Sequence, residues 1–165
     1  MPATRAGLDR STQLVLDAQW LGMERVLAAL EPMLYGFNYQ VFLRAYKVAT
    51  PEASPLAAFL SAALGPSVAF RDETECTVPS MIADVEECLR YRGDSGSGPE
   101  PTVIDSAQFN EHLELLKTSL SAIANDHRIT RVLVTDGHPA YPVFWDFTYV
   151  VAGKSSFVLV GCSSD

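Results

Sequence analysis

Basic residues are scarce in this chain: 12 Lys and Arg stand against 20 Asp and Glu in 165 residues, for a formal net charge of −8. Affinity for a phosphate backbone comes mainly from clustered cations, so direct DNA or RNA binding is disfavoured. The same charge opposes anionic membrane surfaces. Hydrophobic residues make up 48% of the chain, yet no run approaches the roughly 20 apolar residues that span a bilayer. Cysteine is sparse. Cys76, Cys88 and Cys162 are odd in number and lack CxxC spacing, which fits reduced thiols better than a disulfide framework or a zinc site. A Cys76 to Cys88 bridge is the alternative, and it requires an oxidising compartment. Met1 to Asp9 contain Arg5 with no apolar stretch behind it, so the expectation is a chain without a secretory leader, working in the cytoplasm. His112, His127 and His138 are scattered, and no HExxH, GxSxG, GxGxxG or Walker pattern occurs. Neither a metal nor a cofactor is expected.

What is present is a concentration of acid. Between Asp72 and Glu114 there are 11 carboxylates against only Arg90 and Arg92, so this segment carries net −9 and the rest of the chain about +1. A patch of this kind suits a cationic partner, whereas evenly spread charge serves solubility. The ordinary alternative is a solvated face.

The length fits a single domain spanning residues 1–165. Ser11 or Thr12 can cap a helix with apolar positions Leu16, Trp20, Met23, Leu27, Leu30 and Leu34, ending or kinking near Pro32. From Phe37 the period becomes two, placing Phe37, Tyr39, Val41, Leu43 and Ala45 on one face of a strand. A short helix follows Pro55, then a brief strand at Ser67 to Phe70. Pro79 to Arg92 reads as a helix burying Met81, Ile82, Val85, Cys88 and Leu89, with Asp84, Glu87 and Tyr91 on its outer face. The stretch GDSGSGPEP at 93–101 reads as a flexible loop. Asp105 with Gln108 forms a candidate capping box for a helix burying Phe109, Leu113, Leu116, Leu120 and Ile123. The last 37 residues predict a three-stranded meander, Ile129 to Thr135, Phe144 to Val151 and Ser156 to Gly161. With Gly153-Lys154 as a two-residue turn, Val151 faces Ser156, Thr148 faces Leu159 and Asp146 faces Gly161. The fold class is therefore α+β, with a mostly antiparallel sheet and helices on one face.

Two groups of residues carry candidate chemistry. DGHPAYP is turn chemistry first, but Asp136 or Asp146 can orient His138 as a general base near neutral pH. Asp146 lies within the apolar strand PVFWDFTYVV and needs a partner or water. Trp145, Phe147 and Tyr149 alternate with it, either as core or as an aromatic binding surface. The second group is the acidic set Asp72, Glu73, Glu75, Asp84, Glu86 and Glu87, with Tyr91 as an aromatic anchor.

The closing segments DGHPAYPVFWDFTYVV and SSFVLVGCSSD resemble the C-terminal strands of small α+β proteins that accompany bacterial polymorphic toxins as immunity factors. The resemblance implies a protein that binds a toxin domain and lays acidic side chains over a basic active site. It transfers no catalytic residue. The expectation is a cytoplasmic inhibitor that occludes a basic partner protein. A small hydrolase or isomerase built on His138, and a small-ligand or scaffold module built on the aromatic strand, are the rivals.

Overall fold

The computed structural model describes residues 9–165; the leaderless reading of the first residues lies outside them. Asp9 caps the first helix, α1 (Arg10–Met33), accepting the amide hydrogens of Ser11 at 2.7 Å and Thr12 at 3.1 Å. Ser11 and Thr12 are thus the donors at this terminus, while Asp9 supplies the acceptor a helix start requires. Those hydrogen bonds hold the Asp9 carboxyl down at about 2. Pro32 lies inside α1, and the helix ends one residue beyond it. The expected single strand is divided by a turn in which Asn38 takes a positive φ of 45°. This leaves β1 (Gly36–Phe37) and β2 (Gln40–Val48), with Phe37 turned to solvent.

Next come α2 (Leu56–Leu64), β3 (Ala69–Cys76) and α3 (Val78–Leu89). The strand expected to stop at Phe70 continues through the acidic residues, because β3 gains a ladder with a later strand. A Thr77–Ser80 capping box then opens α3, with Ser80 N–H donating to Thr77 Oγ1 at 3.2 Å. The Gly- and Ser-rich loop contains β4 (Gly98–Pro99), which pairs with β1. After α4 (Pro101–Ile104), α5 (Ala107–Ala124) is capped by Ser106, whose hydroxyl accepts from Phe109 N–H at 3.1 Å. Asp105 closes α4 and pairs with Arg92 at 2.5 Å instead of capping α5.

The meander is present as β5 (Arg128–Asp136), β6 (Asp146–Ala152) and β7 (Ser156–Ser164), within an antiparallel sheet ordered β2-β7-β6-β5-β3. Its final register differs by one residue from a two-residue turn: Val151 faces Phe157, Thr148 faces Val160 and Asp146 faces Cys162. The loop has three residues because side chains hold it open. Ser156 Oγ accepts from Gly153 N–H at 3.1 Å, and His127 Nε2 lies 2.9 Å from the Ser155 carbonyl.

Helices cover both faces of the sheet, so the α+β class stands while the one-sided arrangement does not. Met23, Leu27 and Leu30 of α1, Met81 and Val85 of α3, and Leu113, Leu116 and Leu120 of α5 bury one face against Leu43, Phe147, Tyr149, Phe157 and Leu159. Phe59 and Leu60 of α2 close the other face over Val132, Val134, Val150, Val158 and Val160. Alternation along β6 and β7 sends neighbouring residues to opposite layers, so these two strands are apolar on both sides.

Candidate functional site

The acidic block falls on two adjoining elements. Asp72, Glu73 and Glu75 lie along β3, an edge strand of the sheet, and all three are exposed. The pairing of β3 with β5 slips between Ala69 and Phe70 and again between Arg71 and Thr74, and Asp72 adopts a positive φ of 57°. Charge and irregularity together blunt an edge against strand addition. Helix α3 follows directly, and its Asp84 reaches Arg131 on β5, the strand that β3 pairs with. Cys76 packs on the α3 side of the sheet, so its neighbour Glu75 projects from the other face of this edge.

The seven expected binding residues divide by what they touch. Asp84 is turned inward, correcting its assignment to the outer face of α3. Its Oδ2 accepts from Arg131 Nε at 3.0 Å and from the Tyr149 hydroxyl, and Arg131 Nη2 also donates to the Asp146 carbonyl at 3.2 Å. Glu86 receives Lys117 at 2.9 Å and Arg90 at 3.1 Å, contacts that hold its carboxyl below the usual range. Tyr91 is half-buried, its ring 6.0 Å from Tyr39 and 5.8 Å from Phe144, so it packs the protein's own aromatic cluster. Asp72 lies 3.6 Å from exposed Arg71. Glu73, Glu75 and Glu87 have no ion-pair partner among the described residues and point to solvent.

The histidine candidate lies over the other face of the sheet. Nδ1 of His138 lies 2.9 Å from the Ala140 amide nitrogen and 3.0 Å from its carbonyl, while Nε2 is buried without a partner. Burial lowers its pKa from the usual imidazole value. Asp136 accepts from Gly137 N–H at 2.9 Å as part of its turn, and Asp146 pairs across the ladder with Cys162. No hydrogen bond joins either carboxylate to His138. When Nδ1 accepts the Ala140 amide, the single imidazole proton sits on Nε2, leaving no free basic nitrogen. The residues thus gather at one end of the sheet, but the orienting contact a general base needs is not formed.

Trp145, Phe147 and Tyr149 are core. Phe147 and Tyr149 are fully buried, and half-buried Trp145 donates its indole N–H to the Tyr39 hydroxyl at 2.8 Å. Burial pushes the Cys88 and Cys162 thiols up to about 12, and all three cysteines are free. Among the described residues no group of three His, Cys, Asp or Glu side chains is placed to hold a metal, and no helix is long and apolar enough to cross a membrane.

Sequence reasoning missed Arg131 and Glu31. Arg131 shares the parity of the buried Ile129 in β5, and an inward-pointing charge implies a buried partner; that signal was legible. Glu31 carries no such signal. It interrupts the buried face of α1 by one position and is placed only by the approach of β2, where Leu43 N–H donates to its Oε2 at 3.0 Å. No protein-family model, curated protein or solved structure matches this chain.

Proposed function

We propose that this is a binding protein that engages a cationic protein partner through Glu73 and Glu75 on β3 and Glu87 on α3. The observation supporting this reading is the division of the acidic block. Asp84, Glu86, Asp105 and Glu114 have cations of their own, whereas these three carboxylates, like Asp94, Glu100 and Glu111 elsewhere in the segment, are exposed with no ion-pair partner among the described residues. Unneutralised charge on an irregular edge accelerates encounter with a basic surface and rejects acidic competitors. The finer reading is an immunity-type inhibitor in the cytoplasm that covers the basic active site of a toxin domain. It rests on the charge distribution and on the resemblance of the C-terminal strands.

The hydrolase or isomerase reading draws no support from the geometry of His138, and the burial of Phe147 and Tyr149 removes the aromatic surface a ligand module would use. The test is affinity capture from source-cell extract with the wild type and with a Glu73→Lys, Glu75→Lys, Glu87→Lys variant, after both are shown to fold. Retention of one basic protein at near-equal stoichiometry by the wild type alone is expected. Equal retention by both baits, or by neither, overturns the proposal.

A further inference from the structure

The opposite edge of the sheet differs in kind. β2 pairs with β7 in an unbroken register from Gln40–Ser164 to Val48–Ser156, and nothing pairs with its outer side among the described residues. The Leu43 N–H points outward, since it donates to Glu31 and not to β7. In an antiparallel ladder alternate residues share this orientation, so the backbone groups of Ala45 and Lys47 also point outward. At Leu43 the edge is capped: Glu31 takes the N–H, and Arg44 Nη1 donates to the carbonyl at 2.8 Å while pairing with Glu31. Among the described residues Ala45 and Lys47 have no comparable cap.

Beside them runs a groove of about 440 Å³ between α1 and β2, lined by Glu24, Leu27, Ala28, Glu31, Leu43 and Ala45, among others. The charges of α1 that face β2, in and beyond the groove, are arranged in rungs. Asp17 of α1 pairs with Lys47 at 3.6 Å, Glu31 pairs with Arg44, and Glu24, about two turns from both acids, is exposed and has no cation among the described residues. The open backbone thus lies beside a vacant anionic rung.

We infer that the free edge of β2 binds an extended peptide segment of a partner protein, which adds to the sheet at Ala45 and Lys47 and places a Lys or Arg against Glu24. Backbone hydrogen bonds supply the attachment, and side chains that alternate into the groove supply selection. Charge complementarity names the occupant. The unpaired rung is acidic, and Glu31, the other carboxylate lining the groove, is already neutralised by Arg44.

The experiment selects binders from a random decapeptide library displayed against the wild-type protein, then measures the enriched peptides by fluorescence anisotropy. Enrichment of β-branched, alternating sequences with one fixed Lys or Arg is expected. Glu24→Lys should weaken them by about tenfold or more, the loss of a charge-assisted contact. Glu111→Lys, at an exposed position of α5, should leave them unchanged. Ala45→Pro removes an outward amide that the β2–β7 ladder does not use, so it should abolish binding while the fold persists. Should that variant fail to fold, hydrogen exchange of the wild-type Ala45 and Lys47 amides decides instead, with slowing on peptide addition expected. No enrichment, binding indifferent to Glu24→Lys, or unchanged exchange at those amides overturns the inference. So does protection of those amides that rises with protein concentration alone, because the occupant is then a second copy of the chain.

Discussion

Replacing Asp84 by Ala tests whether this carboxylate is a structural tie or part of an exposed charged surface. In the native protein it joins α3 to β5 through Arg131 and to β6 through the hydroxyl of Tyr149, a residue only 1% exposed. Removing it leaves that hydroxyl without an acceptor. A buried unsatisfied polar group costs about 1–3 kcal/mol. The lost ion pair adds at most about 1 kcal/mol, because both side chains retain substantial solvent contact, 39% for Arg131 and 30% for Asp84. The expected destabilisation is therefore about 1–4 kcal/mol, or roughly 2–16 °C in Tm for a chain of this size. Urea unfolding followed by tryptophan fluorescence reads it, with Glu87→Ala as the surface control expected within about 0.5 kcal/mol of wild type. Tyr149→Phe removes the group that Asp84→Ala orphans, so the double variant should cost about 1 kcal/mol less than the sum of the singles. An Asp84→Ala cost no larger than that of Glu87→Ala, or strict additivity with Tyr149→Phe, refutes the reasoning.

His138 has its pKa lowered by burial, so below about pH 6.5 the unfolded chain binds a proton that the native state resists, and stability falls with pH through that window. Urea midpoints at pH 7.5 and 5.5 should show this loss in the wild type and less of it in His138→Gln; equal losses contradict the assignment. Glu86 acts lower: its lowered pKa confers stability above the ordinary carboxylate pKa of 4.5 that is lost as pH falls further, and Lys117→Met should diminish that acid-side loss in the same titration. Gly161 faces Phe147 across the ladder, and an added Cβ would fall 2.3 Å from the ring's Cζ, so Gly161→Ala should cost about 1–3 kcal/mol in thermal unfolding. Cys88 and Cys162, with thiols raised to about 12 by burial, should react with a disulfide reagent at pH 8 far more slowly in native protein than in urea; mass mapping of the labelled sites checks this.

The elements most legible in the sequence were those whose apolar period matched their burial. Leu113, Leu116 and Leu120 keep helical spacing and enter the core, and β5 to β7 appear near their expected bounds. The misplacements came from forces that periodicity does not encode. β3 runs six residues past Phe70 because hydrogen bonding to β5 overrides the weak strand preference of Asp and Glu. The meander register moved by one residue because His127, remote in sequence, holds the Ser155 carbonyl. At the candidate site, composition located the acidic block but gave no sign of which carboxylates were free. That distinction depends on Arg131 and Lys117, cations that arrive from β5 and α5.

The two edges of the sheet would offer a partner different kinds of attachment. Along β3 the register slips twice, Asp72 takes a left-handed conformation and carboxylates project, so a guest strand would meet a broken hydrogen-bond pattern and uncompensated charge. A partner there can be held only by side-chain contacts, whose strength is mainly Coulombic and screened by salt. Along β2 the register is regular, and the groove walls are largely apolar at Leu27, Ala28, Leu43 and Ala45. Attachment there draws on backbone hydrogen bonds and excluded water, with Glu24 adding selectivity. Because the apolar ladders of β5, β6 and β7 lie between them, neither edge needs to move for the other to be occupied. The proposed contacts at the two edges therefore make separate predictions, Glu24→Lys acting on one and Glu87→Lys on the other.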